Sequence, residues 1–171
     1  GLTEQDVKII GYVHEQGKPS VIVMNKWDLV EKDTHTVNKF NDKLKEDLKF
    51  MDYFRAVYIS AKTGQRAEKV LDLAQSVLEH ARFRVSTGLL NDLVLDSVRM
   101  NEPPSVNGRR LKIHYATQAD ICPPTFIFFV NDGELMHFSY RRYLENRIRT
   151  AFDFSGTPVK IIVREQGKDD E

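Results

Sequence analysis

Two apolar runs, Val21-Ile22-Val23-Met24 and Ala56-Val57-Tyr58-Ile59, constrain the fold of this 171-residue chain more than any other feature. Neither alternates with polar residues, which is the pattern of short strands buried on both faces of a parallel sheet. Helical segments surround them. Thr3-x-x-Asp6 is an acidic variant of the capping box, and Val7, Ile10 and Val13 recur at helical spacing until Gly17 and Pro19 stop the helix. A second helix is expected from about Asp33 to Met51 on Val37, Phe40, Leu44 and Leu48, and a third from about Arg66 to Arg84 on Val70, Leu73, Ala74, Val77, Leu78 and Ala81. Helices alternating with apolar strands predict an α/β unit, and the spacing of the two runs suits a crossover connection. In open sheets of this kind ligands bind beyond the carboxyl ends of the strands.

Both of the chain's polar motifs fall at that edge. Asn25-Lys26-Trp27-Asp28 follows the first run and Ser60-Ala61-Lys62 follows the second. A carboxylate such as Asp28 only accepts hydrogen bonds, and the Watson–Crick edge of guanine offers two adjacent donors, N1–H and the N2 amine. Adenine offers no such pair there, and a desolvated Asp28 facing it would be left unpaired. Asn25 can bond the base and tie the two loops together. The alkyl stem of Lys26 or Lys62 can cover a base face, and the Ala61 N–H can donate to guanine O6.

These residues resemble the base-recognition motifs of P-loop GTPases. The fuller pattern is similar to the second GTPase domain of the EngA (Der) family: Asn25-Lys26-Trp27-Asp28-Leu29, Gly1-Leu2-Thr3-Glu4-Gln5-Asp6 upstream and Ser60-Ala61-Lys62-Thr63-Gly64 downstream. That resemblance implies two consecutive GTPase domains and a KH-like domain in the intact protein, GTP or GDP as ligand, Mg²⁺, and a role in assembling the large ribosomal subunit of bacteria. No Gly-x-x-x-x-Gly-Lys-[Ser/Thr] occurs in the chain, and Gly17-Lys18 and Gly167-Lys168 lack its spacing and its hydroxyl. The expectation is therefore a fragment: no catalytic residue and no metal ligand in this chain, with the phosphate loop, the Mg²⁺ ligands and the switch regions upstream of Gly1. Alone, it should not hydrolyse GTP.

Composition narrows the setting. Lys plus Arg equals Asp plus Glu, 25 each, so any RNA contact must come from a local patch rather than from net charge. One cysteine, Cys122, excludes an internal disulfide framework and a thiolate zinc site. No apolar run approaches membrane-spanning length, and the start resembles no signal peptide, so a cytoplasmic protein without a membrane partner is expected. The histidines lack ligand-like spacing.

Residues 85–171 predict a second domain. Ser86 or Thr87 caps a helix on Leu89, Leu90, Leu93, Val94 and Val98, which Pro103-Pro104 ends. Two strands, Leu111 to Thr117 and Thr125 to Val130, follow a loop containing Asn107-Gly108. A helix from about Ser139 to Phe152 and a strand from Val159 to Arg164 complete a three-stranded α+β sandwich, and the acidic stretch from Glu165 to Glu171 reads as a disordered tail. Phe126-Ile127-Phe128-Phe129-Val130-Asn131, Ser139-Tyr140-Arg141-Arg142-Tyr143-Leu144-Glu145-Asn146 and Phe154-Ser155-Gly156-Thr157-Pro158 resemble the KH-like domain of the same family. An ordinary KH module clamps single-stranded RNA with a Gly-x-x-Gly loop, which this chain lacks. What remains is a local basic surface, Arg109, Arg110 and Lys112 before the first strand and Arg141, Arg142, Arg147 and Arg149 on the second helix, with Arg109, Arg110, Arg141 and Arg142 as the candidates to face ribosomal RNA or an upstream GTPase domain of the same protein. From Val85 to Arg164 ten Lys or Arg face eight Asp or Glu, so the excess is slight. An Era-like GTPase, which also carries a KH domain, is disfavoured by the missing Gly-x-x-Gly and by Trp27. A non-catalytic ribosome-binding or domain-docking module is the reading from a different class.

Overall fold

The computed structural model describes residues 1–167, and residues 168–171, the end of the expected tail, lie outside them. It divides into two units, Gly1–Ala81 with Ser155–Pro158, and Arg82–Phe154 with Val159–Glu171.

In the first unit α1 (Glu4–Glu15) starts at the expected capping box: the Asp6 N–H donates to Thr3 Oγ1 (3.2 Å) and the Thr3 N–H to Asp6 Oδ2 (2.8 Å). Strands β1 (Ile22–Met24) and β2 (Ala56–Tyr58) pair in parallel, Ile22 with Ala56 and Met24 with Tyr58. Between them α2 (Thr36–Asp47) begins three residues later than expected. The reason is Asp33, whose carboxylate accepts from the His35 N–H (2.7 Å) and the Thr36 hydroxyl (2.9 Å), holding residues 33–36 in a turn. Likewise α3 (Glu68–Arg82) starts after Arg66, which sits at φ +58°. Ile22, Trp27, Leu44, Leu48 and Tyr58 form the core, with Val7, Ile10 and Phe40 packed against it. The expected stripes are only partly buried. Val37 and Leu78 are exposed, and Val23, in the middle of the first apolar run, is 39% exposed between Ile22 and Met24, so one face of this two-stranded sheet is open among the described residues.

The tetrapeptide Ser155–Pro158 belongs to this first unit although it comes from far along the chain. The Gly156 N–H donates to the Tyr53 carbonyl (2.7 Å) and the Ser20 N–H to the Gly156 carbonyl (2.9 Å), just ahead of β2 and β1. Arg55 Nη1 donates to Ser155 Oγ (3.3 Å), and His80 Nδ1 lies 3.1 Å from the Ser155 carbonyl oxygen. Gly156 has φ +81°, and a Cβ there would fall 2.3 Å from Val77 Cγ2. Glycine alone fits both the backbone and the space.

In the second unit α4 (Thr87–Met100) is capped by Ser86 as expected. The loop expected at Asn107-Gly108 is instead a hairpin of β3 (Ser105–Val106) and β4 (Arg109–Arg110), whose two turn residues both take positive φ, the conformation that Asn-Gly favours. The main sheet is β5 (Ile113–Asp120), β6 (Thr125–Val130) and β7 (Lys160–Glu165), in that order, with β5–β6 antiparallel and β6–β7 parallel. Cys122 is exposed in the β5–β6 connection. Helix α5 (Phe138–Phe152) precedes β7. Phe126, Phe128, Val130, Ala116 and Ile161 face Leu90 and Val94 of α4 and Tyr140, Leu144 and Ile148 of α5 in one core. Gln118 is buried at its margin, where Oε1 accepts the Val85 N–H (2.7 Å) and Nε2 donates to the Phe83 carbonyl (3.0 Å). Glu165, expected to open the tail, closes β7 instead, its Oε1 accepting the Gly133 N–H (3.1 Å). The protein is thus mixed α/β with a three-stranded sheet in its second unit.

Candidate functional site

The two polar motifs emerge side by side because their strands are neighbours. Beyond the parallel pairing, the Ile59 N–H donates to the Met24 carbonyl (2.9 Å) and the Trp27 N–H to the Ile59 carbonyl (2.9 Å). Asn25 Oδ1 then accepts two backbone donors, the Lys26 N–H (2.7 Å) and, from the other loop, the Ala61 N–H (3.0 Å). The first bond holds Lys26 at φ 60°, a left-handed conformation that costs a non-glycine residue about 1–2 kcal/mol. Such strain persists where surrounding bonds enforce it, and it gathers at ligand sites.

Trp27 anchors the turn from below. It is 2% exposed, 4.5 Å from the Tyr58 ring and 5.1 Å from the Phe40 ring between centroids, so it belongs to the core rather than to a base-stacking surface. Tyr58 in turn donates its hydroxyl to Asn41 Oδ1 (2.6 Å), and burial raises its pKa. With Trp27 pinned inward, its neighbours face out. Asp28 is half-buried, while Asn25, Lys26, Ala61 and Lys62 are exposed. Ser60 is fully buried, and its Oγ accepts the Thr63 N–H (3.2 Å) while its N–H donates to the Gln65 carbonyl (3.1 Å); it shapes the second loop from within.

One expected assignment meets a competitor. The Ala61 N–H, read from sequence as the donor to guanine O6, is spent on Asn25 Oδ1. Among the described residues the Lys62 N–H and Asn25 Nδ2 make no hydrogen bond. The two tied loops therefore carry a half-buried carboxylate acceptor, a free amide donor and a free backbone donor, which is the set a guanine edge needs. No group of three His, Cys, Asp or Glu able to hold a metal ion occurs among the described residues.

The four arginines proposed as a docking patch are mostly committed. Arg109 pairs with Asp132, Arg110 Nη1 lies 2.6 Å from Glu102 Oε2, and Arg141 Nη2 donates to the Ile161 carbonyl. Among the described residues only Arg142 of the four makes no hydrogen bond or ion pair. Sequence reading missed a different surface, the stack of Tyr115 on Phe129, with ring centroids 4.3 Å apart and planes at 14°. Its signal was the Phe-rich strand itself, which periodicity assigns wholly to the core.

Comparison with known proteins agrees with this architecture. Residues 84–164 match the family described as KH-domain-like of EngA bacterial GTPase enzymes, C-terminal. A protein named GTPase Der from Desulfitobacterium hafniense is 56% identical over all 171 residues. The chain belongs to the EngA (Der) family. Proteins named GTPase Der from Halalkalibacterium halodurans and Acetivibrio thermocellus are 54% identical over 97% of the chain and 52% identical over 99% of it, respectively. The chain spans 38–39% of the length of these EngA (Der) relatives. No helix among the described residues is long and apolar enough to cross a membrane.

Proposed function

We propose that this chain supplies the guanine-reading part of a GTP-binding, GTP-hydrolysing ribosome-assembly factor. In this reading residues 1–84 form the C-terminal half of a P-loop GTPase domain and residues 85–171 a KH-like domain. The observation that carries it is the 3.0 Å bond from the Ala61 N–H to Asn25 Oδ1, which ties the loop after β1 to the loop after β2. Asp28 accepts from guanine N1–H and N2, Asn25 Nδ2 donates to the base, and the Lys62 N–H donates to O6, in the place sequence reading gave to Ala61. Lys26 and Lys62 lay their alkyl stems along the base faces. Phosphate and Mg²⁺ are held by other parts of the intact GTPase, so the chain alone does not hydrolyse GTP. The names of the relatives support the reaction, and the family resemblance implies the large ribosomal subunit and its RNA as partners, upstream GTPase domains of the same protein, and a cytoplasmic setting.

The test is base preference in the full-length protein. Wild type should bind GDP over ADP, and Asp28→Asn should weaken GDP while favouring xanthosine diphosphate, whose base lacks the N2 donor. An unchanged preference in Asp28→Asn refutes the assignment.

A further inference from the structure

Strand β2 has a second edge, turned away from β1. The Ile22 N–H donates to the Arg55 carbonyl (2.8 Å) and the Ile59 N–H to the Met24 carbonyl (2.9 Å), so Arg55, Val57 and Ile59 address β1 and the backbone groups of Ala56 and Tyr58 point outward. The chain's own loop covers only the upper end of that edge. Arg66 Nη1 lies 3.5 Å from the Tyr58 carbonyl oxygen, and the Ser60 N–H donates to the Gln65 carbonyl (3.1 Å). Among the described residues the Ala56 N–H, the Ala56 carbonyl and the Tyr58 N–H make no hydrogen bond. Beside them runs a cleft of about 310 Å³, with Arg55, Ala56 and Val57 on one wall and Lys69, Leu73 and Ser76 of α3 on the other. Ser155 ties its lower end, meeting both Arg55 and His80, one turn beyond Ser76. The other flank of α3 differs, for Leu71, Ala74 and Leu78 recur there at helical spacing and are exposed.

We propose that this cleft docks an acidic, extended peptide of a partner protein, which adds to β2 as a third strand. The chemistry selects this occupant. Unpaired donors and acceptors along a strand edge are a template for another extended backbone, and side chains in alternate positions supply the specificity. A peptide residue paired with Val57 projects toward Leu73, and the residues two positions to either side project to the same face, one toward Arg55 and the other toward Lys69. Among the described residues neither cation makes an ion pair, and Asp72 is the one carboxylate in the lining. The pattern that fits is therefore acidic, any residue, apolar, any residue, acidic. A second copy of β2 brings its own Arg55 and no carboxylate, and RNA finds no aromatic ring in the lining to stack on. The proposal rests on the functional reading above in one respect: the rest of the GTPase domain covers the Leu71 flank of α3 and the outer edge of β1, and leaves this cleft free.

The experiment is fluorescence anisotropy of a labelled peptide, Ser-Glu-Thr-Val-Thr-Glu-Ser, titrated with the full-length protein. No base preference is read, so failure here leaves the Asp28 test untouched. Only every second N–H of an added strand faces the edge, so methylating alternate backbone nitrogens of the peptide should spare binding in one phase and weaken it about tenfold or more in the other. Lys69→Glu should weaken the acidic peptide about three- to tenfold and bind a Lys-Thr-Val-Thr-Lys version better than wild type does. Lys49→Glu, at an exposed lysine between α2 and β2, provides the control and should bind as wild type. Ala56→Pro removes an outward donor and spares the ladder to β1, so it should abolish binding with Trp27 fluorescence unchanged. Photo-crosslinking from a benzophenone on the peptide to the wild-type protein, which needs no variant to fold, should label segments 55–58 or 69–76. The proposal is overturned if the peptide does not bind, if both methylation phases bind alike, if Lys69→Glu and Lys49→Glu behave alike, if oligouridine displaces the label as well as unlabelled peptide does, or if the crosslinks fall elsewhere.

Discussion

Gly156→Ala should destabilise the first unit by about 2–5 kcal/mol. Its φ of +81° costs an alanine about 1–2 kcal/mol. The new Cβ would also sit 2.3 Å from Val77 Cγ2, 2.9 Å from Cγ1 and 3.1 Å from Cβ, and since Val77 is 3% exposed it has little room to yield; overpacking of this kind costs about 1–3 kcal/mol. Any shift that relieves the contact also strains the bonds from the Gly156 N–H to Tyr53 and from the Ser20 N–H to Gly156, each worth about 1 kcal/mol. Trp27 is the chain's one tryptophan and lies in the core of this unit, so urea unfolding followed by its fluorescence reads the effect without interference from the second unit. Val77→Ala removes both γ-methyls and leaves the conformational cost of the alanine with the milder 3.1 Å approach to the Val77 Cβ. The double variant should therefore be less destabilised than the sum of the single variants by about 1–3 kcal/mol. A Gly156→Ala change within about 0.5 kcal/mol of wild type, or strict additivity with Val77→Ala, would refute the reasoning.

Two further expectations concern protonation. Burial, with smaller contributions from Tyr143 and Glu102, pushes the Tyr140 hydroxyl up to about 12, and it donates to the Asn101 carbonyl (2.8 Å). Because the folded value is raised, its stabilising contribution is complete below about pH 10 and is lost as pH rises toward 12; ultraviolet titration should show Tyr140 ionising well after the exposed tyrosines. Asp33 is held down at about 2, first by Lys39 and then by the His35 N–H and Thr36. Its contribution is present above the unfolded value near 4 and is lost as pH falls toward 2, so His35 amide protection should decline over that window and Asp33→Asn should abolish the dependence.

Local chemistry was legible in the sequence wherever a residue acts on its immediate neighbours. Thr3 with Asp6 and Ser86 cap the helices that were read from them, and the two apolar runs pair as a parallel sheet. Turn chemistry was harder. Asn107-Gly108 reads as a loop because the strands it joins are two residues each, too short to show a period, and Asp33 reads as part of a helix whose start it in fact delays. Tertiary partners were invisible. Arg141 looks like a solvated helix charge until β7 brings the Ile161 carbonyl beneath it, and nothing local announces that Ser155 meets His80 and Arg55, 75 and 100 residues away. At the site, residue types indicated which base edge could be read. Only the fold revealed that Asn25 occupies the Ala61 N–H.

The borrowed tetrapeptide also has a consequence for synthesis. A nascent chain delivers α1 through α3 before the second unit, yet the Gly156 carbonyl that accepts from Ser20 and the Gly156 N–H that donates to Tyr53 do not exist until more than seventy further residues have been joined. At about 5–20 residues per second this is a delay of roughly 4–15 s. During that interval the Ser20 N–H and the Tyr53 carbonyl, just ahead of β1 and β2, lack the Gly156 partners they have in the finished fold. The first unit is thus completed only after α5 of the second has been made, and translation rate through the second unit becomes a determinant of how long the first remains open.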